Sequence, residues 1–119
     1  YEQVLAELSR HDILLQTSVT AQNGDGEGGA PVILLDAQAS GMPVLATTHG
    51  DIPEYVRDGE SGYLAQERDV EGLAERMSLL VDQSQRWAEM GRMGRSHVED
   101  RYGARRQIQA LERIYDGLV

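Results

Sequence analysis

Apolar side chains at Val4, Leu5 and Leu8 recur at helical spacing, so residues 2–10 read as a first helix. His11 and Asp12 break that rhythm, and Ile13, Leu14 and Leu15 form a short apolar run suited to a buried strand. Residues 20–30, TAQNGDGEGGA, carry too many Gly, Asn and Asp for either regular structure and read as a loop. A helix is expected from Pro31, a favoured first helical residue, through VILLDAQAS to a stop at Gly41. Residues 43–47, PVLAT, read as the next buried strand. The DIPE segment then places an acidic residue at Asp51 three positions before Glu54, a capping-box spacing that predicts a short helix closed by Gly59. Residues 62–65, GYLA, make a third strand candidate, and three helical stretches follow at about 69–82, 84–101 and 104–118. Strands that alternate with helices predict an α/β fold with a parallel sheet covered on both faces and a helical C-terminal end. Three short strands make a thin sheet, and the chain opens on Tyr1 rather than Met, so it reads as a segment of a longer protein.

Composition narrows the chemistry. The 119 residues lack Phe and Cys, which leaves a core of Leu, Val, Ile, Ala and Met and excludes disulfides, thiolate nucleophiles and cysteine metal sites. All 11 cationic residues are Arg; no Lys occurs, which removes a Walker-A lysine, Schiff-base chemistry and a receiver-type lysine. A net charge of −9 disfavours nucleic acid, because phosphate backbones are held by clustered cations. The three histidines, His11, His49 and His97, are scattered and form no ligand cluster in the sequence, so no metal or cofactor is expected. No apolar run reaches the length of a membrane span and the start does not resemble a signal peptide, so a cytoplasmic setting is expected.

The segment EGGAPVILLDAQASGMPV, residues 27–44, holds the most chemical information. Its glycine loop leads into a helix whose first amides lack intrahelical acceptors and which, with the helix dipole, can hold an anion. Gly28 and Gly29 have no Cβ to keep a phosphate or sugar away from the backbone. Glu27 and Asp36 bracket the loop and helix, placed to accept from a sugar ring on one side and from ribose hydroxyls on the other. The residues alone also fit a plain glycine loop followed by a helix that carries a solvated Asp36.

Residues 17–64 resemble the donor-site region of family-4 retaining glycosyltransferases, in the branch that builds exopolysaccharides such as colanic acid. The likeness is carried by Glu27 in a Gly loop, the Pro31 helix start, the run Asp36-Ala37-Gln38-Ala39 with Gly41 and Pro43-Val44, the Ile52-Pro53-Glu54 loop, the Gly59/Gly62 turn and a final helix ending near Tyr115. The resemblance implies the C-terminal half of a GT-B fold, a partial Rossmann-like sheet, with residues 1–119 as a nucleotide-sugar-binding domain. It implies that Glu27, Gly28, Gly29 and Ala30 contact the donor sugar, that Gly29, Ala30 and Val32 face the diphosphate, and that Asp36 holds the ribose. Ala37, Ala39 and Gly41 would be small for packing. Glu54 would cap its own helix, His49 would be a loop histidine, and Arg57 and Arg68 would be solvated. The implied reaction is transfer of a hexose from a UDP- or GDP-sugar to a glycan or lipid-linked acceptor with retention. No nucleophile is assigned within the chain.

Two departures stand out. Asp36 replaces the family's usual Glu, and eight residues lie between Glu27 and Asp36, one more than the usual spacing. The Arg and Lys that neutralise the diphosphate in this family lie in strands preceding the region, so the chain by itself is expected to be inactive. It is also expected to self-associate through an exposed sheet edge, and the whole protein to lie in the cytoplasm or peripherally on the inner membrane. Two other readings are a non-catalytic nucleotide-binding or assembly module and a sugar-nucleotide epimerase of the same fold.

Overall fold

The computed structural model describes residues 1–26 and 31–118. Three parallel strands, β1 (Leu14–Gln16), β2 (Val44–Thr47) and β3 (Gly62–Ala65), lie side by side in that order. Leu15 pairs with Leu45, and Leu45 with Tyr63. Parallel neighbours need a crossover, and helices supply it: α1 (Glu2–Leu8) precedes β1, α2 (Val32–Ala39) joins β1 to β2, and the short α3 (Ile52–Tyr55) joins β2 to β3. Then come α4 (Val70–Asp82), a 3-10 turn at Ser84–Arg86, α5 (Trp87–Tyr102) and α6 (Ala104–Asp116). The element order and the parallel sheet follow the sequence pattern, with most ends displaced by one or two residues; α3 stops four residues short of Gly59, and α5 begins at Trp87 after the 3-10 turn.

Alternate strand residues point to opposite faces. Val44, Ala46 and Leu64 meet Leu8 of α1, Leu34 and Ala37 of α2, and Ile52 and Val56 of the α3 region. On the other face, Leu45 and Tyr63 meet Leu73, Met77 and Leu80 of α4 and Trp87 and Met90 of α5. Leu34, Leu45, Ile52 and Leu80 are fully buried, each stabilising the fold by about 1.5–3 kcal/mol relative to exposure.

Helix α2 ends as expected at Gly41, which takes a φ of 80°. The amide of Met42 bonds to the Ala37 carbonyl and that of Gly41 to the Gln38 carbonyl, both at 3.0 Å, a Schellman stop. Its start differs: Pro31, at ψ 136°, stands just outside the helix as N-cap, so the first helical residue is Val32. Ala37 is buried in the core as its size suggests, whereas Ala39 is exposed.

The DIPE expectation fails in detail. No side-chain cap bond forms at Asp51, and Val56, in extended conformation, ends α3 well before Gly59. The short helix is held from outside instead. Its Glu54 carbonyl accepts from His97 Nε2 at 2.9 Å and from the Tyr102 hydroxyl at 3.1 Å, while its Tyr55 carbonyl accepts from Gln38 Nε2 at 2.7 Å. Tyr102 stacks on Tyr55 with ring centres 4.5 Å apart. Gly59, at φ 81°, serves the turn into β3, where its amide bonds to the Gly62 carbonyl.

The two sheet edges differ. Beside β3, Asp58 forms an isolated bridge to Gly62 and its carboxylate accepts the Leu64 amide at 2.9 Å, which covers the edge. Beside β1 lies an apolar hollow of about 340 Å³, lined by Val4, Leu8, Ile13, Leu14, Ile33 and Met42 among others. Helix α6 carries a stripe of exposed apolar residues, Ile108, Leu111, Ile114, Tyr115 and Leu118. No helix among the described residues is long and apolar enough to cross a membrane.

Candidate functional site

In a parallel sheet the loops at the C-terminal strand ends form the natural ligand edge. Here that edge gathers the segment after β1, the residues Thr48–Asp51 after β2, and Gln66–Asp69 after β3. Of the residues implicated by the sequence, Glu27, Gly28, Gly29 and Ala30 lie outside the described residues. Val32 and Asp36 are described. Val32 is 67% exposed at the first position of α2, where no side chain of Pro31 caps the helix. Among the described residues the Leu34 amide turns back to the Pro31 carbonyl at 3.0 Å, which leaves the Val32 and Ile33 amides at the helix end.

Asp36 sits one turn further on, half-buried, and is not simply solvated. Its Oδ1 accepts the Tyr1 hydroxyl at 2.9 Å. The bond to the carboxylate raises the Tyr1 phenol above its ordinary pKa, with desolvation and the Asp36 charge acting in the same direction. Nothing in the sequence pattern singled out Tyr1, because 35 residues separate the pair.

His49 departs from the expected loop histidine. It is 2% exposed, and its Nδ1 lies 3.2 Å from Glu67 Oε1 and 3.4 Å from Thr20 Oγ1. Glu67 also accepts the backbone amide of Thr20. That amide, followed by bonds from His49 and Thr20 and the His49 charge, outweighs partial burial and holds the Glu67 carboxyl below its ordinary pKa. Arg68 is exposed, yet its guanidinium reaches the Thr20 carbonyl at 2.6 Å from a left-handed backbone at φ 65°. Arg57 is exposed as expected and pairs with Glu60 at 3.5 Å. Thr47 of β2 donates to the Ser18 carbonyl at 2.5 Å, which ties the β1 loop down again.

The Glu67 bonds give a pH signature with a definite sign. A carboxyl whose pKa falls on folding stabilises the native state above its unfolded pKa, and loses that contribution as pH falls through the lowered folded value. Wild type is therefore expected to melt above Glu67→Gln near neutrality, with the gap closing as pH drops from about 6 to about 3. A gap that stays constant across that range in thermal melts would refute it.

Among the described residues, no three His, Asp or Glu side chains converge as metal ligands. A hollow of about 540 Å³ lies at the opposite, N-terminal end of the sheet near Asp12, Gly41 and Pro43. A smaller one of about 270 Å³ lies at the ligand edge, against Thr17, Thr47, Gln66 and Arg68.

The chain is similar to known glycosyltransferases. A putative colanic acid biosynthesis glycosyltransferase, WcaL of Salmonella typhimurium, is 45% identical over 76 residues, 64% of this chain and 18% of the relative. A GDP-mannose-dependent monoacylated alpha-(1-6)-phosphatidylinositol monomannoside mannosyltransferase of Corynebacterium glutamicum is 36% identical over 99 residues, 83% of this chain and 26% of the relative. The crystal structure of Anabaena Alr3699/HepE in complex with UDP superposes with a TM-score of 0.79 at 20% identity, over 93% of this chain and 29% of that one. This likeness places the chain in the GT-B fold class. The chain thus spans only about a fifth to a quarter of these curated relatives. Residues 1–83 match the family described as Glycosyl transferases group 1, and the chain belongs to that family.

Proposed function

We propose that these residues form the C-terminal, donor-binding part of a glycosyltransferase that moves a hexose from a UDP- or GDP-sugar to a glycan or lipid-linked acceptor with retention. The observation that carries this reading is the α2 start. Among the described residues no side chain caps this helix end, which lies at the ligand edge of a parallel sheet with the Asp36 carboxylate one turn behind it. Amides of the first turn, Val32 included, receive the diphosphate; Asp36 receives the ribose; Glu27, Gly28, Gly29 and Ala30 meet the sugar. The relatives support a nucleotide donor, since one is named for GDP-mannose and one neighbour was crystallised with UDP. Stabilising the departing diphosphate is the main catalytic task in such a reaction, and fixed backbone donors suit it without a metal or cofactor.

The family resemblance places the Arg and Lys that would share that charge in strands preceding these residues. The 119 residues alone therefore bind donor but do not transfer sugar, and catalysis belongs to a longer protein that is cytoplasmic or peripheral to the inner membrane. Titrating UDP and GDP into the isotope-labelled chain tests the reading. Amide resonances from residue 26 through Asp36 are expected to shift at nucleotide concentrations on the order of 1 mM. A spectrum unchanged by both nucleotides would sink the proposal.

The apolar hollow beside β1 and the stripe on α6 also support self-association of the chain. Light scattering is expected to show dimers or larger species whose share grows with concentration. A single monomeric species throughout would count against it.

A further inference from the structure

Helix α6 (Ala104–Asp116) stands apart from the core. It has no buried residue, all 13 of its residues are exposed, and Ile108, Leu111, Ile114 and Tyr115 each leave more than half of their surface to solvent. A helix shorter than roughly 12–15 residues is marginal in water by itself, so one this short with a bare apolar side calls for a partner. Its pattern says of what kind. Ala104, Ile108, Leu111, Tyr115 and Leu118 recur at alternating steps of four and three, the seam of a helix that packs lengthwise on another helix. Arg105 and Glu112 flank that seam on the same edge, two turns apart. Neither has an ion-pair partner among the described residues.

We propose that α6 pairs antiparallel with α6 of a second copy of this chain. Running the two seams in opposite directions sets Ile108 against the partner's Leu111 and Tyr115 against the partner's Ala104, a large side chain over a small one. In that register like edges meet, so Arg105 faces the partner's Glu112, and the two-fold axis repeats each contact. A parallel pair would bring Glu112 to the partner's Gln107 and give Arg105 no residue of α6, so charge selects the antiparallel arrangement. One short helix supplies less than a standard interface of about 800 Å² per partner, so the dimer is weak, with a dissociation constant on the order of 0.1 mM. The proposal rests on the self-association reading above and adds which face pairs and in which direction; it is independent of donor binding.

Sedimentation of the 119-residue chain from about 0.01 to about 1 mM reads the equilibrium. Wild type is expected to pass from monomer to dimer across that range, and Leu111→Ser to stay monomeric. Arg105→Glu and Glu112→Arg each turn two attractions into two repulsions and should weaken the dimer about tenfold. An equimolar mixture of those two variants regains both opposite-charge contacts and should recover wild-type dimerisation. A parallel pair, or a contact elsewhere, would give no such recovery. Because α6 buries nothing, each variant should keep the wild-type amide spectrum outside α6. Dimers that survive Leu111→Ser would overturn the α6 pairing and leave self-association to the hollow beside β1. Dimers lost in Leu111→Ser but indifferent to the charge variants and their mixture would overturn the antiparallel register. A wild-type chain monomeric throughout would overturn the pairing and the self-association reading together. Vesicles of phosphatidylglycerol and phosphatidylethanolamine then separate the other occupants: binding assigns α6 to a lipid surface, and no binding assigns it to sequence outside these residues.

Discussion

Alanine at Gly62 or at Gly91 is expected to lower the unfolding free energy by about 3 kcal/mol, at the high end of what one added methyl costs. At Gly62 in β3 the new Cβ would stand 1.8 Å from the Val44 carbonyl oxygen, and at Gly91 in α5 it would stand 1.9 Å from that of Gly41. Both obstacles are backbone, so neither can rotate away. The Gly62 contact sets the spacing of β2 and β3 through the Val44–Gly62 pair. The Gly91 contact brings α5 onto the C-terminal end of α2, where Gly94, one turn later, faces Gln38 and Ser61. Gly72→Ala is the informative control. Its Cβ would meet the Asp69 side chain at 2.2 Å, and that side chain can swing aside at the loss of its N-cap bond to the Gly72 amide. That loss costs about 1 kcal/mol. Denaturant unfolding of the three variants should separate them into two classes. Equal costs for all three would show that the backbone yields at Gly62 and Gly91, and the close-approach argument would be wrong.

Removing the Asp36 carboxylate is expected to weaken UDP or GDP binding by about tenfold to a hundredfold, the loss of one charge-assisted hydrogen bond to the ribose. Calorimetry on Asp36→Ala against wild type measures it. Tyr1→Phe sharpens the test, because the Tyr1 hydroxyl already occupies Asp36 Oδ1. A carboxylate has room for further donors. Tyr1→Phe should therefore change affinity by less than about threefold. If Asp36→Ala binds nucleotide like wild type, the ribose role is wrong, and the Tyr1 bond is then the whole function of that carboxylate.

These residues also show what a linear reading reaches. The α2 stop at Gly41 was legible because a Schellman end is local: the amides of Gly41 and Met42 turn back to carbonyls within five residues. The strand at residues 43–47 was legible because all four residues of β2 are buried, and only an unbroken apolar run fits a central parallel strand. DIPE misled because a capping box needs the Asp51 side chain to turn back onto its own helix. The observed α3 is instead anchored from α5 and α2 through His97, Tyr102 and Gln38. His49 looked ordinary for a similar reason. Its partners Thr20 and Glu67 lie 29 and 18 residues away, in loops that only the sheet brings together.

By itself, then, the order of residues determined the helices and the three parallel strands. Each of those depends on side-chain periodicity or on backbone limits within a few positions. Only the tertiary structure decided that Tyr1 meets Asp36, that Glu67 meets His49, and that the backbone of Gly41 lies against Gly91. Such pairings depend on where parallel strand order and helix crossings carry distant residues, and no local spacing encodes that distance.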